Sequence, residues 1–312
     1  MSTTRRARVR ALAKINLDLR VLGPRPDGYH ELRTVFQTVS LADTIDLEFT
    51  PGRRTRIELA DPLAIPDNLM LRAARLVLEA GRVCGAVGMR LGKRIPLGAG
   101  LGGGSSDAAA ILLALPVLAG CRLPLETLLG LAEQLGSDVA FFLFGGRAAG
   151  IGRGAELFPL PDSRPLEGVL VTPGIHVSTA AAYRALSPGL TSESAQNKIF
   201  SFQSQVWEVA GLGAGVNDFE AVVLRQHRAL AELKRRLAKC GAVQAMMTGS
   251  GSAVFGLFSS AALAMSALRT LGKENAIRMS LVTRARYRSL WWRALKEHLS
   301  GRIWPPRSRY MP

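Results

Sequence analysis

Apolar and polar positions alternate over residues 8–22. Val9, Ala11, Ala13, Ile15, Leu17, Leu19 and Val21 fall on one face, and Arg8, Arg10, Lys14, Asn16, Asp18 and Arg20 on the other. The pattern predicts one long strand with a solvated polar face, from which Lys14 and Asn16, two residues apart, project together. A turn-rich stretch, residues 23–30, follows. Residues 35–41 and 44–49 read as two strands joined by a turn at 41–44, and 87–95 as another strand. A helical period takes over from 67, after Pro66, and again at 125–135, 217–239 and 261–271. An apolar helix opens at Ser105, and Pro116 predicts its end near 115, with a short second piece beyond.

In the second half, 169–172 and 276–283 read as strands, and a helix starts near Ala180. Residues 247–258 read as strand, tight glycine loop, strand, and 190–215 as an irregular, mobile segment. Residues 160–165 carry two prolines and mark a boundary. The pattern therefore predicts a two-domain α/β chain, with 1–163 as the first domain and 164–288 as the second. Residues 289–312 form a basic, aromatic tail. Within it Leu290, Trp291, Ala294, Leu295 and His298 predict a terminal helix packed on its own domain.

Between the strand at 87–95 and the apolar helix lies Ile-Pro-Leu-Gly-Ala-Gly-Leu-Gly-Gly-Gly-Ser-Ser-Asp-Ala-Ala-Ala, residues 95–110. Strand, glycine loop and helix N-terminus form an arrangement suited to phosphate. Glycine lets the backbone approach, and unpaired N–H groups and the helix dipole face the anion. A Walker A loop requires a lysine that is missing between Gly98 and Ser106. Gly98, Gly100 and Gly103 match a dinucleotide fingerprint formally, but the acid expected about 20 residues on, at the end of a strand, has no clear counterpart. A flexible linker does not explain a glycine run set between a strand and an apolar helix.

Composition narrows the partners. The 312 residues suffice for two modest domains, and 48% are apolar. The 40 Lys and Arg against 24 Asp and Glu give a net charge of +16. The basic residues are scattered and not interleaved with aromatics, which argues against nucleic acid and leaves generic surface arginine, or attraction of polyphosphates, as the reading. Three cysteines and four histidines lack metal spacing. No apolar run of membrane-spanning length occurs, and an odd cysteine count without a leader suggests a reducing cytoplasm.

Pro96, Gly100, Leu101, Gly102, Gly103, Gly104, Ser105, Ser106 and Ala108 resemble the P-x-x-x-G-L-G-x-S-S-x-A loop of the GHMP kinases, small-molecule kinases that include galactose, homoserine and mevalonate kinases. Other strings are similar to that family in the same order. Ala13-Lys14-Ile15-Asn16-Leu17 resembles its opening P-A-K-(I/L)-N-L, with Leu12 in place of proline. Arg25, Asp27, Gly28, Tyr29, His30 and Leu32 match the R-x-D-G-Y-H-x-L of a branch whose substrate carries a cytidine diphosphate. Gly136, Asp138, Val139, Phe141 and Phe142 resemble G-x-D-V-P-F-F, with Ala140 in place of proline. Residues 217–220 and 247–258 resemble two later segments, so the likeness spans about 13–288.

The resemblance implies a ribosomal-S5-like N-terminal domain, a ferredoxin-like C-terminal domain and substrates in the cleft between them. It implies ATP with Mg2+, with Asp138 taking a hydroxyl proton and Lys14 beside it. Pro96, Gly98, Gly100, Leu101, Gly102, Gly103, Gly104, Ser105 and Ser106 would hold the phosphates, with Asn68 near the adenine. Ser106 is a candidate metal ligand; the other ligands are unknown. Asn16, Tyr29, His30, Thr179 and Tyr183 would bind a small-molecule substrate carrying a cytidine diphosphate. The same residues admit structural readings: Asp138 and Asn68 as helix caps, Tyr183 as a core residue. Two other functions stay open, a GHMP kinase for a mevalonate- or homoserine-like alcohol and a non-catalytic GHMP-fold regulator. The Tyr29-His30 string and Tyr183 oppose the first, and Lys14 with Asp138 opposes the second. Neither nucleic acid nor membrane is expected as a partner, and the oligomeric state is open.

Overall fold

The computed structural model describes residues 3–162, 164, 166–207, 215–272, 274–299 and 306. Strands β1 (Arg5–Pro24) and β2 (His30–Pro51) form a long antiparallel ribbon. Against the other edge of β2 lie β4 (Gly85–Gly92) and, further along, β5 (Arg147–Gly152). Strand β3 (Arg56–Ala60) runs parallel to β4, and β6 (Glu156–Pro159) completes the six-stranded sheet. Helices α1 (Leu69–Gly81), α2 (Gly103–Ala119), α3 (Leu125–Leu135) and α4 (Val139–Phe144) build the first core against it. The second sheet is antiparallel, in the order β10 (Ala276–Ser280), β7 (Glu167–Val171), β9 (Val254–Phe258), β8 (Gln244–Met247). Helices α8 (Arg228–Lys239) and α9 (Ala261–Leu271) share a core with it.

Strand β1 belongs to both halves. Val9, Ala11 and Leu12 join the first core. Ala13, Ile15 and Leu17 pack with Leu170, Phe255 and Leu257 of the second sheet. Leu19 and Val21 join the core under α8 and α9. The polar side of the strand is not solvated beyond its start: Lys14, Asn16, Asp18 and Arg20 are all buried. Helix α6 (Ser192–Trp207) lies against it, where a mobile loop was expected. That helix is mostly polar and buries Phe202. Val206 packs beside the same core, and the other anchors are long polar side chains: Lys198 Nζ donates to Val21 O at 2.9 Å and to Asp218 Oδ2 at 2.6 Å. Arg20 donates to Lys198 O and to Gln205 Oε1. The expected loop also covered 208–214, which lie outside the described residues.

Four more expectations change. The turn at 41–44 is absent, and β2 runs through it. The β1–β2 register instead steps from Leu12↔Ala42 to Lys14↔Thr38, a bulge that places two extra residues on β2. Helix α2 continues past Pro116 to Ala119, because a proline this near the end forfeits one hydrogen bond while residues 106–118 are buried all round. The long helix expected at 217–239 is two, α7 (Glu220–Gln226) and α8, broken at His227, whose φ of −124° and ψ of 81° are not helical. The terminal helix, α10 (Arg284–Leu295), begins before the expected boundary at 288 and returns to the first domain, where Tyr287, Trp291 and Leu295 enter its core. Tyr287 lies so close to Gly145 that a Cβ there would stand 2.3 Å from its ring. Of the expected domain boundary, Ser163 and Pro165 lie outside the described residues. So does the tail beyond 299, apart from Pro306.

Candidate active site

Gly98, Gly100 and Gly102 carry φ values of 64°, 77° and 68°, a left-handed conformation costly to other residues. Gly100 also lies against the 248–250 loop: a Cβ on it would meet Thr248 O at 2.2 Å. The N-cap of α2 is Gly102, so the helix opens two residues before the expected start at Ser105. Ser106 N–H makes the first bond, to Gly102 O at 2.8 Å. The N–H groups of Gly103, Gly104 and Ser105 therefore have no intrahelical acceptor, and the dipole's positive end faces outward with them. Ser106 is buried, and its hydroxyl donates to Leu12 O at 2.7 Å.

A cleft of about 740 Å³ opens at this loop, between the two sheets. It brings together Lys14, Asn16, Tyr29, His30, Gly100, Gly102, Asp138, Thr179 and Tyr183 from the expected set. Lys14 Nζ stands 3.3 Å from Asp138 Oδ2; the lysine side chain is 5% exposed and the aspartate 32%. Asp138 occupies the N-cap position of α4 but makes no capping hydrogen bond with its side chain, so its carboxylate faces the cleft uncommitted to the helix. The ammonium donates to Asn16 Oδ1 at 2.8 Å and lies over the Phe36 ring, 5.3 Å from its centroid.

Asn16 is the hub of this end. Its Oδ1 also accepts from Gly249 N–H at 3.1 Å, and its Nδ2 donates to Thr34 Oγ1 at 2.8 Å. Its own N–H donates to Thr248 Oγ1 at 3.0 Å. Lys14 N–H in turn donates to Leu101 O at 3.0 Å. The lysine strand, the glycine loop and the 248–250 loop are thus one hydrogen-bonded unit. Asn217 secures the last of these by donating to Met247 O and Gly249 O, both at 2.8 Å.

The far end of the cleft is aromatic. His30 stacks on Tyr183 with centroids 4.4 Å apart, and Phe219 meets Tyr183 edge to face. Burial, reinforced by the Asp138 charge, pushes the Tyr183 phenol up to about 12, while burial lowers His30. Both rings are therefore uncharged at neutral pH. Tyr29 is largely exposed, with the Arg153 guanidinium over its ring at 4.9 Å. Thr179 and Ser250 hydroxyls share a hydrogen bond of 2.8 Å across the mouth.

Pro96, Gly98, Leu101, Gly103, Gly104 and Ser105 continue the loop outside the residues that line this cleft. Asn68 stands apart: its Oδ1 caps α1 through Met70 N–H and its Nδ2 donates to Asp61 Oδ2, each at 3.0 Å. Sequence reasoning missed Thr34, Phe36, Arg153 and Ser250, which line the cleft, and the buried Thr248 that holds Asn16 from behind. Only Thr248 and Ser250 carried a signal, as members of the second glycine loop. Among the described residues no cluster of His, Cys, Asp or Glu suits a metal ion, and no helix is long and apolar enough to cross a membrane.

Residues 68–146 match the GHMP kinases N terminal domain, and 203–276 the GHMP kinases C terminal domain. A 4-diphosphocytidyl-2-C-methyl-D-erythritol kinase from Solibacter usitatus is 62% identical over the full length of both chains. Another from Pelotomaculum thermopropionicum is 46% identical over 79% of this chain and 87% of its own. A solved 4-(cytidine 5'-diphospho)-2C-methyl-D-erythritol kinase superposes with a TM-score of 0.74 at 37% identity, covering 88% of this chain and 98% of its own. Homoserine kinase from Cytophaga hutchinsonii, at 18% identity and a TM-score of 0.72, shares the fold over 91% of this chain and 96% of its own.

Proposed function

The chain belongs to the GHMP kinases, and we propose that it transfers the γ-phosphoryl group of ATP to the 2-hydroxyl of 4-diphosphocytidyl-2-C-methyl-D-erythritol, a step in non-mevalonate isoprenoid precursor synthesis. The observation that carries this reading is the Lys14–Asp138 pair at the mouth of the glycine loop, with an aromatic wall at the other end of the same cleft. ATP phosphates lie on the loop from Pro96 to Ser106, held by N–H groups at Gly103, Gly104 and Ser105. The cytidine end lies at Tyr29, His30, Thr179 and Tyr183. A neutral imidazole both donates to and accepts from a pyrimidine edge, and flat rings suit a base.

Between the two ends, Asp138 accepts the proton of the attacking hydroxyl as its oxygen bonds to the γ-phosphorus. ADP departs with the electrons of the broken P–O bond. Lys14, 3.3 Å from the Asp138 carboxylate, offsets charge on the transferring group. The transition state of phosphoryl transfer is loose, so positioning and electrostatics supply most of the acceleration. Asn16, with every polar atom of its amide engaged, fixes the lysine. Mg2+ is expected to accompany the nucleotide. The described residues form no acidic cage for it, and the buried Ser106 hydroxyl donates to Leu12 O, so the ATP phosphates and water would hold it. Asn68 retains a place near the adenine only as a cap whose amide is already in use. The free thiols of Cys84, Cys121 and Cys240 accord with a cytoplasmic enzyme.

Coupled ADP release with ATP and the cytidine alcohol, mevalonate or homoserine in turn tests the reading. Turnover is expected with the cytidine alcohol alone. Turnover with another alcohol and none with this one would replace the substrate. No turnover with any of the three would favour a regulator. Asp138→Asn should lower kcat by about 10²–10⁴-fold while ATP still binds; near-normal turnover would assign the base elsewhere.

A further inference from the structure

Beneath the glycine loop lies a buried group of charges with no part in the transfer step. Asp43 on β2 is fully buried. Its Oδ2 accepts from Lys93 Nζ, and its Oδ1 accepts from the N–H groups of Arg94 at 2.5 Å and Ile95 at 2.8 Å. Asp107 of α2, also buried, accepts from the same ammonium on Oδ2 at 2.9 Å. The lysine side chain is 5% exposed. Its ammonium stands under the first turn of α2, where a Cβ on Gly103 would come within 2.9 Å of it. The residues entering the loop and the helix leaving it are therefore tied to one cation and, through Asp43, to the central strand of the sheet.

The group is costly as a stabilising device. Two carboxylates share one ammonium, and Asp107 Oδ1 is buried without a hydrogen-bond partner. Burial pushes the Asp107 carboxyl up to about 7 against the pull of the Lys93 charge. Apolar side chains of similar volume stabilise a core at least as well as a buried ion group. What buried charges add is a single permitted geometry, since each tolerates only its partner. Here that geometry is the spacing of the two ends of a loop whose interior is glycine and whose own conformational preference is weak.

We propose that Asp43, Lys93 and Asp107 are positioning residues for the nucleotide, a buried ion triad that holds the two ends of the glycine loop at the separation where its N–H groups meet the ATP phosphates. The inference rests on the reading of that loop as the ATP cradle. Without the triad, ATP must order the loop itself, and the cost falls on ATP affinity. The alcohol substrate, held at the aromatic end, is spared.

The test uses the full-length enzyme, calorimetric binding of a non-hydrolysable ATP analogue, and KM values for both substrates. Lys93→Gln and Asp107→Leu should weaken analogue binding and raise the KM for ATP by about tenfold to a hundredfold, with the KM for the alcohol nearly unchanged. Asp107→Asn, which keeps an acceptor for Lys93, should stay near wild type. If Lys93→Gln leaves its carboxylates unpaired and does not fold, Asp107→Leu, which removes a buried charge, decides the matter. A lower melting temperature with unchanged ATP affinity would overturn the proposal, as would an equal rise in both KM values or an Asp107→Asn no better than Asp107→Leu. A wild-type enzyme that binds no ATP analogue would instead sink the cradle reading itself.

Discussion

At the scale of single residues, the site separates groups that do chemistry from groups that aim them. Tyr183 is the clearest test of specificity. Its phenol, pushed up to about 12, stays neutral throughout any practical assay range, so its contribution to a bound base is the ring. Tyr183→Phe should therefore leave the KM for the cytidine substrate and its pH profile between 6 and 9, roughly, unchanged. Tyr183→Ala should raise that KM by about tenfold or more, since stacking on an aromatic is worth about 1–3 kcal/mol. An unchanged KM in the alanine variant would return Tyr183 to the core beside Phe219. Thr248 is the aiming counterpart. Thr248→Val leaves the buried Asn16 N–H without its acceptor, a cost of about 1–3 kcal/mol. With the asparagine displaced, Lys14 loses its orientation, so kcat should fall by more than either KM rises. A purely thermal effect, with kcat intact, would mean Asn16 holds its place without the threonine.

At the scale of elements, the two glycine loops support each other backbone to backbone, and two substitutions of equal chemistry separate that contact from simple strain. Gly98 and Gly100 both have positive φ, so alanine costs about 1–2 kcal/mol at either. Nothing lies within 4 Å of a Cβ at Gly98, whereas one at Gly100 strikes Thr248 O at 2.2 Å. Gly100→Ala should abolish turnover or nearly so, and Gly98→Ala should be much milder, as read from kcat/KM for ATP. Equal losses would place the effect in loop strain alone. Most of these elements were legible in the sequence because each has a local signature: glycines between strand and helix, alternation on β1, helical spacing at 125–135 and 261–271. Elements whose cause is tertiary were not legible. The part of β2 beside its bulge reads locally as a turn, because Ala-Asp-Thr is turn-like until Asp43 is buried beneath the loop. Helix α6 carries only a thin apolar stripe, Ala195, Ile199, Phe202 and Val206, and Lys198, Arg20 and Gln205 complete its attachment. The break at His227 has neither glycine nor proline to announce it. In the site, Lys14 and Asp138 emerged only through a familiar string, whereas Thr34, Phe36 and Arg153 have no signal beyond their place in the fold.

At the scale of the molecule, the two sheets do not form independent domains in the thermodynamic sense, although the sequence leads one to expect a boundary near 163. Strand β1 contributes to all three apolar clusters, and two of them contain residues of both sheets: Ile15 and Val35 beside Leu170 and Phe255 in one, Leu19 and Val21 beside Val169 and Val254 in the other. Helix α10 closes the loop from the other direction. It follows the last strand of the second sheet, yet buries Tyr287, Trp291 and Leu295 in the first core, with Tyr287 Oη donating to Phe142 O at 2.5 Å on the helix that starts at Asp138. A chain cut at the boundary would expose β1's second face and lose α10, so neither half retains its core. Unfolding should accordingly be a single calorimetric transition, with van't Hoff and calorimetric enthalpies agreeing. Trp291→Ala, at a residue 3% exposed, removes about 3–5 kcal/mol of packing. It should shift that one transition downward as a whole and, by loosening α4, lower kcat ahead of the melt. Two resolved transitions, or a Trp291→Ala variant in which only one part melts early, would show the sheets to be separable and the cleft between them to be a hinge.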